Sequence, residues 1–272
     1  GKFNYRLVVV DMKSDPLGAK LNFGHPNSPQ SYGGAPVMTQ ICHFLEQGEI
    51  ITCDPLYFGS NYVFLVTLMN EGKTIRAIYK PCQGETPLYD FPDGTLYKRE
   101  YAAFLISQAL EWFLVPPTVI RSGPYGIGSM QWFVDTKNRV DYDSLRVRYL
   151  SQLKQVALFD YLVNNADRRA SHCLEGQDGR LWSIDHGLTF NAIPKLRTVI
   201  WDFSGQSVPD KLVSALVAMQ KTLNQAQPLR ETLSSLLAIT EVEALERRLK
   251  QIIDNPVFPY PGSRRSVPWP WM

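Results

Sequence analysis

Phe159-Asp160-Tyr161-Leu162-Val163-Asn164-Asn165-Ala166-Asp167-Arg168-Arg169-Ala170-Ser171-His172, followed by Trp182-Ser183-Ile184-Asp185-His186-Gly187, sets two acidic side chains at the ends of apolar segments with a turn between them. Between the two runs, Cys173-Leu174, then Gly176-Gln177-Asp178-Gly179, then Leu181 to Ile184 predict two short strands around a hairpin turn. A hairpin folds Asp167, His172 and Asp185 toward one end of the element, although the two aspartates are 18 positions apart. Phosphoryl transfer needs such a convergence, with one carboxylate orienting the attacking hydroxyl and others holding metal on the phosphates. Asp167 is the candidate for the first role, and Asp185 with His172 for the second.

This segment resembles the catalytic and metal-binding loops of the phosphatidylinositol 3-/4-kinase-related superfamily, including its small bacterial members and, more distantly, the HipA-like protein kinases. Those families carry Asp-Arg-His-x-x-Asn followed by Asp-x-Gly. The matching runs here are Asp167-Arg168-Arg169-Ala170-Ser171-His172 and Asp185-His186-Gly187. Arg169 stands where a His is usual, and His172 stands where a metal-binding Asn is usual. The second departure leaves the number of bound metal ions open.

The resemblance implies an earlier, strand-rich lobe with a lysine for the nucleotide phosphates and an acid to position it. Ile75 to Lys80 alternates as a strand, and Thr95 to Leu110 follows as a helix with Ala102, Ala103, Leu105, Ile106 and Ala109 on its apolar face. Glu100, in the first turns of that helix, is placed to hold Lys80 as the lysine–glutamate pair of kinases does. By the same resemblance, Gly59-Ser60-Asn61, in a turn between two apolar runs, is the phosphate-covering loop. The stretch from Gln131 through Phe133 to Val134 is then the hinge, whose backbone meets the adenine edge. The upstream Gly126-Ile127-Gly128 reads as a hairpin turn and not as a dinucleotide fingerprint, because a strand follows it.

These parts imply an α+β, two-lobed kinase-like fold with a strand-rich N-terminal lobe and a mainly helical C-terminal lobe. The expected organisation is an N-terminal strand and flexible loop over 1–35, an N-lobe over 36–134, a C-lobe over 135–255 and a Pro/Trp-rich tail over 256–272. Pro36 to Gln47 predicts a helix stopped by Gly48, and Ser144 to Val163 a long helix opening the C-lobe. Pro209 to Leu223, Pro228 to Ala238 and Glu241 to Ile253 predict three more, with proline or acidic starts. The tail, with Trp269 and Trp271 among its prolines, is expected to lie extended and packed on the body.

Composition bounds the function without naming it. A formal charge of +2 over 272 residues is too mild for a nucleic-acid partner. No apolar run reaches about 18 residues, so no transmembrane helix is expected, and Val8 to Val10 is too short for a signal-peptide core. Cys42, Cys53, Cys82 and Cys173 lack metal-type spacing and suit reduced thiols in a cytoplasmic protein, while His25 and His43 fall away from the site.

The expected activity is an ATP-dependent phosphotransferase using Mg²⁺, with Mn²⁺ as a substitute. In lipid kinases of the superfamily, the segment after the metal loop binds the headgroup with several basic side chains. Here it offers only Lys195 and Arg197, which points to a hydroxyl on a protein or small molecule as acceptor. Adenylyl transfer on the same fold and a nucleotide-binding pseudokinase scaffold are the alternatives.

Overall fold

The computed structural model describes residues 35–57, 59–136, 141–225, 227–262 and 266–268. The expectations for residues 1–34 and for Trp269 and Trp271 lie outside the described residues.

Helix α1 (Ala35–Gln47) buries Met38, Ile41, Phe44 and Leu45, the one stripe its helical period makes apolar. It stops at Gly48, whose N–H closes on the Phe44 carbonyl at 2.8 Å; a Cβ there would stand 2.8 Å from that same oxygen. Arg121 finishes the end by donating to the carbonyls of Leu45 and Gly48, each at 2.8 Å.

The stripe of α1 packs on an antiparallel five-stranded sheet of order β1-β2-β3-β5-β4, made of β1 (Glu49–Leu56), β2 (Val63–Asn70), β3 (Lys73–Pro81), β4 (Thr118–Gly123) and β5 (Gly126–Trp132). Strands β2 and β3 turn on Glu71-Gly72, both at positive φ (49° and 73°), the conformation a two-residue hairpin of this twist demands. The hairpin between β4 and β5 turns at Gly123 to Gly126, not at Gly126 to Gly128 as the sequence pattern implied. Gly128 lies inside β5 beside β3, where a Cβ would approach the Lys80 carbonyl to 2.4 Å. Its lack of a side chain therefore serves strand packing rather than a turn.

Helix α2 (Leu96–Ala109) follows β3 after a loop, and its N-terminus is capped from outside: the Glu85 carboxylate accepts from the N–H groups of Leu96 and Tyr97 at 3.0 and 2.8 Å. The long helix expected over 144–163 is instead two, α3 (Tyr142–Arg148) and α4 (Leu150–Val163), broken at Tyr149. The break has a tertiary cause. Arg148 and the Tyr149 hydroxyl both bind Oε1 of the buried Glu175 at 2.8 Å, and an unbroken helix would splay two consecutive side chains about 100° apart.

After α4 comes the two-stranded hairpin β6 (Cys173–Glu175) and β7 (Leu181–Ser183), then α5 (Asp210–Gln225), α6 (Gln227–Leu236) and α7 (Ile239–Asp254). Among the described residues the two largest hydrophobic clusters lie one between the large sheet and α1, the other among α4 to α7. The second also takes in Ala102, Ala103, Phe104 and Ile106 of α2. The described part of the tail packs on the segment before α5: Phe258 and Gln206 pair through their backbones, and the Ser266 carbonyl accepts from Thr198 N–H and Trp201 Nε1 at 3.0 and 3.1 Å. Among the described residues no helix is long and apolar enough to cross a membrane.

Candidate active site

Helix α4 ends on Asn164, held in the left-handed conformation (φ 54°). Its amide donates to the carbonyls of Asn191 and Ile193, each at 2.8 Å, and its oxygen accepts from Lys195 N–H at 2.8 Å. The chain therefore leaves α4 in one direction, into Asn165 to His172. Asn165 turns it again, its oxygen accepting from Asp167 N–H at 3.0 Å.

Beneath this loop lies a buried ion pair. Arg168 and Asp160 are both 0% exposed, with Nε to Oδ2 at 2.8 Å and Nη2 to Oδ1 at 2.9 Å. Arg168 also donates to the Ile184 carbonyl at 2.7 Å and contacts His186 Nε2 at 2.9 Å, so one guanidinium joins the end of α4 to the residues flanking Asp185. Burial keeps His186 neutral, far below its ordinary pKa, with Arg168 reinforcing the effect. Asp160 and Arg168 thus act as framework; the sequence alone does not separate Arg168 from Arg169, which are chemically alike until burial distinguishes them.

Above the pair the charged side chains form a chain. Lys80, near the end of β3, meets Glu100 Oε1 at 2.5 Å and Asp185 Oδ1 at 3.0 Å. Glu100 Oε2 accepts from His186 N–H at 3.0 Å, and Asp185 Oδ2 stands 3.3 Å from His172 Nε2. Burial alone would lower the Lys80 pKa, but Asp185 and Glu100 outweigh it and hold the ammonium above its ordinary range. Lys80 first, and His172 after it, hold Asp185 well below the usual carboxylate range against the opposing effect of burial. Asp185 adopts φ 61°, which a β-carbon makes costly, and the contacts on both its oxygens keep it there.

His172 is pushed down to about 4, mainly by burial, with Arg168, Lys80 and Arg169 adding to it and Asp185 opposing. It is therefore a neutral imidazole at physiological pH. Asp167 is bound by Arg169 Nε, at 3.3 and 3.1 Å to its two oxygens; burial raises its pKa and Arg169 offsets that only in part.

The structure thus brings Lys80, Glu100, His172 and Asp185 into one connected group, with Asp167 on the adjoining loop. Gly59, Ser60 and Asn61 form the β1–β2 turn. It is tied to the chain just beyond Lys80 by Thr86 N–H to Asn61 Oδ1 at 2.8 Å and Thr86 Oγ1 to the Ser60 carbonyl at 2.7 Å. Two residues expected at the nucleotide have groups engaged within the protein. Gln131 lies in a central strand, its backbone between β3 and β4 and its amide donating to Thr118 Oγ1 at 2.9 Å. The Phe133 N–H donates to the Arg76 carbonyl at 3.0 Å, and the Phe133 ring lies 4.5 Å from the Arg76 guanidinium.

Asp185 and His172 are the side chains here that could ligate a divalent cation. Asp185 is ionised and His172 neutral, and among the described residues no group of three acid, His or Cys side chains converges into a cage. Mg²⁺ in nucleotide sites is held in this way, by one or two protein ligands with phosphates and water completing the octahedron.

Known proteins resemble the chain in sequence and in fold. The sequence profile of the family "Phosphatidylinositol 3- and 4-kinase" matches residues 108–261. Protein Rv2133c of Mycobacterium tuberculosis is 37% identical over 261 residues, covering 83% of this chain and 93% of that protein. Phosphatidylinositol 4-kinase gamma 4 of Oryza sativa subsp. japonica is 34% identical over 83 residues, 27% of this chain and 15% of that one. Among solved structures, the Golgi casein kinase with Mn/ADP bound superimposes with a TM-score of 0.52 at 17% identity, covering 82% of this chain and 76% of that chain. At that identity the likeness speaks for the fold.

Proposed function

Because the chain belongs to the phosphatidylinositol 3- and 4-kinase family, we propose that it is an ATP- and divalent-metal-dependent phosphotransferase whose acceptor is a hydroxyl on a protein or small molecule rather than an inositol lipid. The observation that carries this reading is the connected group Lys80–Glu100–Asp185–His172 beside Asp167. Lys80, steadied by Glu100, is suited to neutralise nucleotide phosphates, and Asp185 with His172 to hold the metal. When bound, the cation supplies charge neutralisation on the phosphates. Asp167 is suited to accept the acceptor hydroxyl's proton, its raised pKa making it a better base than an ordinary aspartate. Arg169, bound to both carboxylate oxygens, orients it.

Gly59, Ser60 and Asn61 remain the proposed cover of the phosphates, their turn fastened at Thr86. At the hinge, the Phe133 N–H is engaged, and the N–H of Val134 carries no hydrogen bond among the described residues. Val134 N–H and the Phe133 carbonyl are therefore the groups we assign to the adenine edge. The choice against a lipid headgroup rests on Lys195. Its ammonium is paired with Asp90 at 2.9 Å and lies 5.7 Å from the centre of the Tyr89 ring, which leaves Arg197, close enough to Asp167 to act on its carboxylate, as the segment's one other basic side chain for a polyphosphate.

The test is a reaction with Mg²⁺ and ATP against protein, small-molecule and phosphoinositide acceptors, read by mass. A gain of about 80 Da marks phosphoryl transfer and about 329 Da adenylyl transfer. Phosphorylation of phosphoinositides alone would refute the acceptor assignment, and an adenylyl adduct would refute the reaction.

A further inference from the structure

Helix α2 carries Glu100 toward the N-terminal sheet, where it lies against β4 and β5, and it is supported from the other side as well. Ala102, Ala103, Phe104 and Ile106 share one buried cluster with Leu233 of α6 and Val242 of α7. The residue before Glu100 makes a polar version of the same attachment. The Arg99 side chain is 1% exposed, and each of its three nitrogens has a partner: Nη2 meets Glu241 Oε1 at 2.9 Å, Nη1 donates to the Thr189 carbonyl at 2.8 Å and Nε to Thr95 Oγ1 at 3.3 Å. Glu241, in the first turn of α7, is itself fixed, its other oxygen accepting from Ala238 N–H at 3.0 Å.

The loop entering α2 is fastened to the same body. Asn191 Nδ2 donates to the Asp90 carbonyl at 2.7 Å, and Phe91 and Leu96 pack with Ala166, the neighbour of Asp167.

A buried ion pair adds little stability that apolar residues of similar volume would not supply. Its distinctive effect is geometric, because a guanidinium fork accepts only one placement of its partners. Arg99 and Glu100 are successive residues on a helix, so their side chains diverge by about 100°. Clamping Arg99 to α7 and Thr189 therefore fixes the rotation of α2 at which Glu100 reaches Lys80 on one side and His186 N–H on the other.

We propose that Arg99 and Glu241 are positioning residues that bolt α2 to the C-terminal helices. The Lys80–Glu100 pair is thereby set before nucleotide arrives, instead of being assembled by a swing of α2. This rests on the reading of the site as one for metal and ATP.

The experiment compares Arg99→Lys and Glu241→Gln in two backgrounds, the parent and Glu100→Gln. It measures the affinity for Mg²⁺ with ATP, and amide hydrogen exchange along α2 against exchange in β2 and β3. In the parent background each substitution should weaken nucleotide binding by about tenfold and speed α2 exchange by a similar factor, with β2 and β3 unchanged. In the Glu100→Gln background neither should weaken binding further, because both act through Glu100. Equal losses in the two backgrounds would show a general loosening and overturn the proposal, as would folded variants with parental affinity and parental α2 exchange. If Arg99→Lys does not fold, Glu241→Gln, which keeps the side chain's shape, decides alone. A parent that binds no Mg²⁺ and ATP refutes the reading of the site; the anchor then stands or falls on whether α2 exchange rises.

Discussion

Replacing Asp160 by Asn should lower the stability of the whole protein by about 3 kcal/mol, although the change is isosteric. Three hydrogen bonds end on this carboxylate: Asn165 Nδ2 and Arg168 Nη2 on Oδ1, both at 2.9 Å, and Arg168 Nε on Oδ2 at 2.8 Å. An amide offers one acceptor oxygen and an NH₂ in place of the second, so one N–H of Arg168 would face another N–H. The guanidinium would also lose its counter-charge at a site where both side chains are 0% exposed. Stranding one member of a buried pair costs roughly 3–5 kcal/mol, and the Ile184 carbonyl that still receives Arg168 sets the expectation at the lower end. Equilibrium urea denaturation at pH 7 measures it, with an unchanged m-value as the control. The thermal midpoint should fall by about 6–12 °C. Adding Arg168→Met should then cost less in the Asp160→Asn background than in the parent, since the stranded charge is gone. A loss under about 1 kcal/mol, or strict additivity of the two substitutions, would refute the account of Arg168 as a hub that needs its counter-ion.

Asp185→Ala should abolish the Mg²⁺-dependent part of nucleotide affinity while the fold survives; titration calorimetry with and without Mg²⁺ measures this, and equal metal dependence in both proteins would remove Asp185 from the metal site. Asp167→Asn should leave nucleotide affinity intact and lower turnover by about 10²-fold or more, so full turnover on the true acceptor would rule Asp167 out as the base. His172 stays neutral down to about 4, so metal-dependent affinity should persist through pH 6, where an ordinary histidine would already be lost to protonation. Between pH 6.5 and 4 the unfolded chain binds a proton at His172 that the folded chain refuses. Stability should therefore fall as pH drops through that window, by up to roughly 3 kcal/mol. His172→Asn should flatten that slope in urea denaturation from pH 4.5 to 7.5, and an unchanged slope would show that His172 does not set it.

Local sequence determined much of what it described. The period of apolar residues located α1, α2 and α5 to α7, and glycine with turn residues located the β6–β7 hairpin, because both signals depend on neighbours within a few positions. Lys80 and Glu100 were singled out by the resemblance carried in the Asp167–Gly187 run, on a strand and a helix whose types were locally readable, and Asp185 by that run itself. Where the determining partner lay far along the chain, local pattern failed. Tyr149 breaks a helix because Glu175, 26 positions on, draws it away. Gln131 and Phe133 fell at the hinge in sequence, and only the fold shows which of their groups are engaged: the Gln131 backbone by β3 and β4, and the Phe133 N–H by the Arg76 carbonyl. Arg168 and Arg169 are adjacent and identical, but burial makes one a framework ion and leaves the other beside Asp167. His172 has the usual imidazole in the sequence; only the fold, by excluding water and gathering Arg168, Lys80 and Arg169 around it, moves its titration down to about 4. Chain chemistry thus named the groups, and tertiary packing decided their charge states and which of them meet, because desolvation and long-range pairing exist only once distant segments come together.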